Sequence, residues 1–310
     1  MKNLPATEDR IWAVLSHLSA LAFGMGILLP VIGWSEQRRK SNYASFHSLQ
    51  ALGYQSLGFT IWILSSLLII VALLLIMAAA LGSAGNSGGN TDAAIGRWMT
   101  VLFIVMIGFI GLYSLFPVIA AISCALGKEF HYPIMGRRLA RYLEYDSGNE
   151  GWLIEDREDR WVAAMGHFSI LVLLWGMLAP LTAWILQGKR SLFIKFQSLQ
   201  TLVYQAVVTV LYFVALFVYF LGFFLLFAAM GLTGESQMGS TSSVLGFVVF
   251  IVASLIAFAI FLLIPLLHIL GQLAGYRVLK GENYRYPLVG RLVEKRLMKQ
   301  KDPMTGKNLA

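Results

Sequence analysis

One stretch of sequence occurs twice in this chain: residues 8–34 read EDRIWAVLSHLSALAFGMGILLPVIGW, and residues 158–184 read EDRWVAAMGHFSILVLLWGMLAPLTAW. The match runs without a gap over residues 8–55 and 158–205, where about 20 of the 48 positions are identical. Self-similarity of this length at a fixed spacing indicates a tandem repeat. The chain is therefore predicted to contain one structural unit twice.

A second match lies toward the end of each unit, at an offset of 154 instead of 150 residues. Its members are Gly127, Tyr132-Pro133 and Gly136-Arg137 in the first copy, and Gly281, Tyr286-Pro287 and Gly290-Arg291 in the second. We therefore predict a first membrane repeat over residues 1–150 and a second over residues 151–310, which ends in a basic C-terminal tail.

The composition predicts an all-α, polytopic membrane protein. The chain is 58% hydrophobic and only 13% charged, with a mean hydropathy of +0.71, whereas about a quarter of the residues in soluble domains are charged. Residues 57–81 and 206–230 contain no charged side chain. Each run exceeds the ~20 helical residues that cross ~30 Å of hydrocarbon.

Within each repeat we predict a first apolar segment, a basic loop, a long helix, a polar loop and a third helix. The predicted ranges are 11–36, 44–81 and 98–126 in the first repeat, and 161–187, 196–230 and 244–279 in the second.

The formal charge of +8 lies mainly at the ends of the apolar segments. It forms no nucleic-acid-reading motif, so we predict no nucleic-acid partner. In both repeats the flanks after the first segment and after the third helix are basic, whereas the loops over residues 82–97 and 231–245 are not. Basic flanks stay in the cytoplasm. Both repeats then share one orientation in the cell (inner) membrane, and both termini are cytoplasmic.

This shared orientation requires an even number of crossings per repeat, because the connector over residues 128–159 is too polar to cross. We therefore predict that the first apolar segment is a re-entrant hairpin, broken at Gly24-Met25-Gly26 in the first repeat. In the second repeat only Gly176 and Pro180 could break it, and a surface-lying or tilted helix stays open there. Irregular backbone at membrane depth must face protein or a water-filled cavity.

His17 and His167 occupy equivalent positions in these apolar segments. An ionisable side chain at membrane depth is a candidate functional residue, although a histidine that only locks the hairpin through a hydrogen bond is the favoured interpretation. A metal site is disfavoured, because His47 is replaced by Gln197 in the second repeat. Cys124, the single cysteine, is interpreted as a packing residue, and no cofactor is predicted.

A polar stripe marks the start of each long helix, opposite an apolar ridge that includes Phe46, Leu49 and Leu52. The stripe consists of His47, Gln50 and Tyr54 in the first repeat and of Gln197, Gln200 and Tyr204 in the second. A stripe that faces solvent or lipid headgroups is favoured over one that lines a polar cavity, because the long helix exceeds the bilayer thickness.

Two further groups of charges have simple explanations in the sequence. Glu8-Asp9 and Glu158-Asp159 follow Thr7 or Asp156 in the first helical turn, where caps and acids favour helix initiation. The basic tail around Arg291 could bind anionic lipid, at about 1 kcal/mol per charge near the surface.

The chain resembles a family of small prokaryotic membrane proteins of unknown function. The resemblance rests on His17-Leu18-Ser19-Ala20, on the run from His47 to Gln55, and on Tyr132-Pro133. That family is grouped with the twenty-kilodalton import component of the chloroplast inner envelope. The resemblance implies no established activity. Gly53, Val203 and Gln197 replace residues of the family pattern.

No catalytic signature such as Gly-x-Ser-x-Gly, His-Glu-x-x-His or a Walker-type loop is present. The leading hypothesis is a non-enzymatic membrane component, a scaffold or a translocation-related subunit, with unidentified membrane-protein partners and the lipid bilayer around it. The alternative is a solute or ion transporter with a midplane site between the repeats. His17, His167, Gln50 and Gln200 would line that site.

Overall fold

The computed structural model describes residues 4–86, 91–146, 152–231 and 241–301 of the 310-residue chain. It is 87% helical, and these residues contain no β-strand. The all-α fold predicted from composition is confirmed. Much of the loop predicted over residues 231–245 and the end of the basic tail lie outside the described residues.

The first repeat consists of α-helices joined by two short segments of tighter or wider winding. They are α1 (Thr7–Leu18), a 3₁₀ segment (Ser19–Ile27), α2 (Leu28–Gln37), α3 (Asn42–Gly53), a π-helical turn (Tyr54–Gly58), α4 (Phe59–Asn86), α5 (Thr91–Ala125) and α6 (Met135–Leu143).

The second repeat follows the same order, but its long helix is continuous. Its elements are α7 (Glu155–Phe168), a 3₁₀ segment (Ser169–Met177), α8 (Leu178–Gln187), α9 (Leu192–Gly231), α10 (Thr241–Leu279) and α11 (Val289–Lys301). The helices predicted from apolar runs are present in both repeats, and most extend a few residues beyond the predicted ends.

The first apolar segment of the first repeat is a helical hairpin. The side-chain amide of Gln37 donates to a carboxylate oxygen of Glu8 at 3.3 Å, although 29 residues separate them. In a straight helix they would lie about 44 Å apart. Both ends of the segment therefore lie close together, as the predicted shared orientation of the repeats requires.

The second repeat forms the same hairpin. A methyl group at Gly166 would lie 3.5 Å from the Cβ of Pro180, whereas residues 166 and 180 would be about 21 Å apart in a straight helix. A single tilted or surface-lying helix is excluded for this segment. The hairpin prediction is thus confirmed in both repeats.

The turn of each hairpin depends on one glycine. A Cβ at Gly26 would lie 1.7 Å from the carbonyl oxygen of Ser19, and a Cβ at Gly176 would lie 2.0 Å from that of Ser169. An added methyl group at either position would force the backbone to shift, so glycine favours this tight turn. The predicted break at residues 24–26 is one part of a longer turn that includes Phe23, whose φ is 48°.

The two hairpins pack against each other and join the repeats. Helix α2 packs on α8, and the two 3₁₀ turns are in contact. Gly24 lies at this junction, because a Cβ there would be 2.6 Å from Val172 and 2.9 Å from Trp175. One continuous hydrophobic core includes side chains of α2, α3, α7 and α8.

Five segments of the described residues are long and apolar enough to cross a membrane. They are Thr7–Gln37, Asn42–Gly82, Ala93–Ala125, Leu192–Met230 and Val244–Leu279. The first of them is the hairpin that folds back on itself. The other four expose many large apolar side chains, Leu68 and Phe224 among them, so they present a surface that lipid can cover.

Sequence reasoning missed the two short amphipathic helices, α6 and α11, that follow the third helix of each repeat. In α6, Leu139 and Leu143 are buried, whereas Arg137, Arg138 and Arg141 are exposed. Each helix folds the chain back onto the repeat. The segment that precedes it, called the Tyr-Pro segment, contains Tyr132-Pro133 in the first repeat and Tyr286-Pro287 in the second, and both tyrosines are buried.

Candidate functional site

A buried polar cluster lies inside the first repeat, between the hairpin and the long helices. His17 on α1 is fully buried. Its Nε2 lies 3.1 Å from Nδ1 of His47 on α3, and its Nδ1 lies 3.0 Å from the hydroxyl oxygen of Tyr132. The histidine thus bridges the hairpin, the long helix and the segment after the third helix.

The imidazole rings of His17 and His47 contact each other directly, with Nε2 of His17 and Nδ1 of His47 3.1 Å apart. At this distance one nitrogen carries the proton and the other accepts it.

The second repeat contains the corresponding cluster with a different partner. Nδ1 of His167 lies 3.1 Å from the hydroxyl oxygen of Tyr286, and its Nε2 lies 3.0 Å from Oε1 of Gln197. The amide of Gln197 in turn donates to Oδ1 of Asn283 at 2.7 Å. His167 is therefore satisfied by hydrogen bonds alone. Both histidines have the locking role that the sequence favoured, and whether they also act in function stays a prediction.

The glutamines of the predicted stripes hold the Tyr-Pro segments in place. Gln50 donates to the carbonyl oxygen of Phe130 at 3.0 Å and accepts from the backbone N–H of Tyr132 at 2.9 Å. Gln200 donates to the carbonyl oxygen of Tyr284 at 2.8 Å and accepts from the N–H of Tyr286 at 3.3 Å. Each glutamine thus positions the tyrosine that reaches the histidine.

The tyrosines of the stripes complete the same arrangement. The Tyr54 hydroxyl donates to the carbonyl oxygen of Tyr113 at 2.7 Å, and its ring stacks on Tyr132 with centroids 4.3 Å apart. The Tyr204 hydroxyl donates to the carbonyl oxygen of Leu267 at 2.9 Å, and its ring stacks on Tyr286 at 3.9 Å. Both stripes therefore tie the long helix to the third helix.

The interpretation of these stripes as facing solvent or headgroups was wrong. His47, Gln50, Gln197 and Gln200 are completely buried. The apolar ridge of α3 is buried as well, with Phe46, Leu49 and Leu52 at 0% exposure. Helix α3 is enclosed on both faces because the second repeat covers the ridge, while the Tyr-Pro segment and the hairpin cover the stripe.

Cys124 joins the cluster of the first repeat. Its Sγ lies 3.5 Å from Nδ1 of His47, and one donor atom from each of His17, His47 and Cys124 lies within 4.8 Å of the others. The carboxylate of Glu129 approaches the opposite nitrogen, Nε2 of His47, at 3.7 Å. No sequence motif indicates this grouping, since Cys124 is more than 70 residues from either histidine.

A second buried polar group joins the repeats near the open ends of the hairpins. Nη2 of Arg38 lies 2.9 Å from Oδ1 of Asp159 and 3.4 Å from Oε2 of Glu158, while its Nη1 donates to Oε1 of Gln187 at 3.3 Å. The indole N–H of Trp34 donates to Glu158 at 3.2 Å. Two residues of the first repeat thus bind the acids that begin the second hairpin.

The explanation of Glu158 and Asp159 as helix-initiating acids was therefore incomplete. The N-cap residues are Ala6 and Ile154, and neither gives a side-chain cap. Burial raises the pKa of Glu158 to about 7, although the neighbouring Arg38 guanidinium opposes that rise. The acids of the second repeat are partners in an interface, whereas Glu8 in the first repeat is exposed.

The family profile of magnetosome magnetite crystal formation proteins, MamF/MmsF, matches residues 8–139 and again residues 158–293. The chain belongs to this family. The two matches fall one in each repeat, so this MamF/MmsF chain carries the family unit twice. No curated protein and no solved structure matches the chain.

Membership identifies the protein as a multi-pass membrane component of a magnetosome family. The predicted resemblance to a membrane family is confirmed at that level. The grouping with the chloroplast import component finds no support in these comparisons, and it stays a prediction.

Proposed function

We propose that this protein is a non-enzymatic scaffold of the magnetosome membrane that takes part in magnetite crystal formation. The process comes from the family description. The scaffold role is our interpretation of how the two repeats are joined. The absence of a catalytic signature in the sequence supports a non-enzymatic role.

The observation that carries the scaffold role is the buried contact of Arg38 with Glu158 and Asp159. Removal of either partner would leave a charge buried without compensation, so each repeat supplies a group that the other requires at this contact. Together with the packing of α2 on α8, this contact favours two hairpins that stay together. A fixed pair of units suits a protein that positions other components.

The surroundings that we propose for the scaffold follow from the charge pattern. Both termini and the basic flanks face the cytoplasm. The exposed Arg291, Lys295 and Arg296 on α11 lie where they can meet anionic headgroups. The apolar faces of the long helices contact lipid or membrane-protein partners.

Transport is the less supported alternative. It would need His17, His167, Gln50 and Gln200 to line one site between the repeats. Among the described side chains, His17 and Gln50 bond within the first repeat, and His167 and Gln200 bond within the second. These partners favour two separate structural clusters over a shared pathway.

Deletion of the gene in its host tests the role in crystal formation. We expect magnetite crystals of altered size or shape in electron micrographs, and recovery when the full chain is supplied again. An unchanged distribution of crystal size and shape in the deletion strain would contradict the proposal.

Crosslinking in native magnetosome membranes, followed by mass spectrometry, tests the scaffold role separately. We expect crosslinks to other membrane proteins of the magnetosome, close to the surfaces of α6 and α11. Recovery of lipid and self-contacts alone would rule out a scaffold, even if the deletion alters the crystals.

A further inference from the structure

The polar cluster of the first repeat contains three side chains of the types that bind transition metals. Nε2 of His17 and Nδ1 of His47 are 3.1 Å apart, and Nδ1 of His47 and Sγ of Cys124 are 3.5 Å apart. All three side chains are completely buried. They come from α1, α3 and α5, so the fold brings them together from three helices.

These separations match the edges of a tetrahedral metal site. Metal–nitrogen bonds of about 2.0–2.1 Å and metal–sulfur bonds of about 2.3 Å place two nitrogens about 3.3 Å apart and a nitrogen and a sulfur about 3.5 Å apart. Two of the three edges therefore already have the required length. The third, between His17 and Cys124, is no longer than 4.8 Å.

The outer nitrogens of both imidazoles face oxygen atoms, as they do around bound metals. Nδ1 of His17 lies 3.0 Å from the hydroxyl oxygen of Tyr132. Nε2 of His47 lies 3.7 Å from Glu129 and has no hydrogen-bond partner among the described residues. A proton on each outer nitrogen would leave both inner lone pairs directed toward the space beside Cys124.

Charge and ligand type select the class of ion. Thiolate and imidazole favour zinc-like transition metals over magnesium or calcium, which prefer oxygen. A buried cation must be compensated, and the Cys124 thiolate with the Glu129 carboxylate would neutralise two positive charges. Glu129 also provides a connection to the outside, since its side chain is 31% exposed while His47 is fully buried.

The second repeat provides a natural comparison, because it keeps a histidine at the position of His17 but lacks the other two proposed ligands. At offsets of 150 and 154 residues, Gln197, Val278 and Asn283 replace His47, Cys124 and Glu129. The backbone contacts support this pairing, because Tyr54 bonds to the carbonyl of Tyr113 and Tyr204 bonds to that of Leu267. The same fold is thus built with a glutamine, a valine and an asparagine.

We propose that the first repeat binds one divalent transition metal of the zinc type through His17, His47 and Cys124. Binding replaces water on the ion by two metal–nitrogen bonds and one metal–sulfur bond. The proton between the two imidazoles moves to the outer nitrogen of the ring that carries it, and the thiol proton of Cys124 is released to solvent. No further His, Cys, Asp or Glu among the described residues belongs to this group, so the fourth position is open to water or another ligand. This site does not depend on the proposed scaffold function.

The test uses the purified full chain, freed of metal by a chelator and titrated with Co²⁺ as a spectroscopic probe. We expect one equivalent per chain, with the absorption of tetrahedral cobalt and a thiolate-to-cobalt charge-transfer band. Zn²⁺ should displace the cobalt and abolish both features. Absence of the charge-transfer band in the folded protein would overturn the proposal.

Matched variants assign the ligands. Cys124→Val, which introduces the residue found in the second repeat, should abolish the charge-transfer band, and His47→Gln should weaken Co²⁺ binding at least about 10-fold. His167→Gln in the second repeat should leave stoichiometry and spectrum unchanged. A spectrum that survives in Cys124→Val, or that is lost only in His167→Gln, would contradict the assigned site. Circular dichroism of each variant separates a lost ligand from a lost fold.

Discussion

The two repeats have the same backbone plan but differ in the chemistry of their interiors. In each, a histidine of the hairpin meets a tyrosine of the Tyr-Pro segment, with nitrogen–oxygen distances of 3.0 and 3.1 Å. Around that shared pair, the first repeat places His47, Cys124 and Glu129, and the second places Gln197, Val278 and Asn283.

This difference separates what the fold needs from what it only permits. In the second repeat neutral groups satisfy the histidine, namely Gln197, Tyr286 and Thr201. Asn283 accepts a hydrogen bond from the amide of Gln197. The fold therefore does not require a second imidazole, a thiol or a carboxylate at these positions. Packing of the repeat therefore does not require His47, Cys124 or Glu129, and this favours a binding role for these three residues.

The junction between the repeats is equally asymmetric. Arg38 of the first repeat corresponds to Gly188 in the second. The arginine reaches across to Glu158 and Asp159, while the equivalent Glu8 accepts a hydrogen bond from the amide of Gln37. Identical acids in the two copies thus have different environments, since only one copy supplies the cation.

The largest expected effect is that of Arg38→Ala, which leaves two buried carboxylates without their cation. Loss of one partner of a buried ion pair costs about 3–5 kcal/mol, and we expect a loss of that size in the free energy of unfolding by denaturant. The control is Arg39→Ala, because Arg39 is 70% exposed and pairs with exposed Glu155. It should cost less than about 1 kcal/mol. Equal losses in both variants would show that the junction does not hold the repeats together.

The next largest effect is expected when the three residues found in the first repeat are introduced at the equivalent positions of the second repeat. The triple variant Gln197→His, Val278→Cys and Asn283→Glu should bind a second Co²⁺, at least about 100-fold more tightly than the second repeat of the parent chain. Titration of the charge-transfer band measures the stoichiometry, which should rise from one to two. A folded variant that still binds one equivalent would show that the repeats differ by more than these residues.

A smaller effect is expected at the turn that both repeats share. Gly26→Ala and Gly176→Ala should each destabilise the protein by about 1–3 kcal/mol, since each added methyl group would overlap a carbonyl oxygen. Gly108→Ala on α5 is the control, because no described atom beyond the neighbouring residues and the surrounding helix backbone lies within 4 Å of its added methyl group. Thermal unfolding measures all three. A clear cost at one turn only would break the equivalence of the hairpins.

The smallest effect is a pH dependence that only the second repeat should show. The pKa of Glu158 is about 7 in the folded protein, above the value of about 4.3 in an unfolded chain. The folded state therefore holds this proton more tightly, and the resulting stability is lost as the pH rises toward and through 7. In the parent chain the melting temperature should therefore fall between about pH 5 and about pH 8. In Glu158→Gln this fall should be smaller by a few degrees.

The matched control for this pH effect is Glu8→Gln, because Glu8 is exposed. It should leave the pH dependence of the melting temperature as it is in the parent chain. If both substitutions change the dependence equally, the burial of Glu158 is not its cause.

Much of the fold was predictable from the sequence because apolar runs, basic flanks and repeated motifs are visible without knowing which residues meet. Apolar runs longer than ~20 residues identified the long helices. The repeated pattern and the basic flanks required an even number of crossings, which led to the hairpins later found at Gly26 and Gly176. The helices α6 and α11 were missed because each is short and strongly basic.

The sequence by itself determined the duplication, the helical architecture and the polar positions inside apolar segments. Only the tertiary structure decided which of those positions meet, because helical periodicity shows which residues share a face but not what covers that face. Thus the stripe at His47 is buried under the hairpin, Cys124 lies beside it from 77 residues away, and Arg38 binds acids more than 100 residues distant. Such contacts form only when the two repeats and their hairpins pack together.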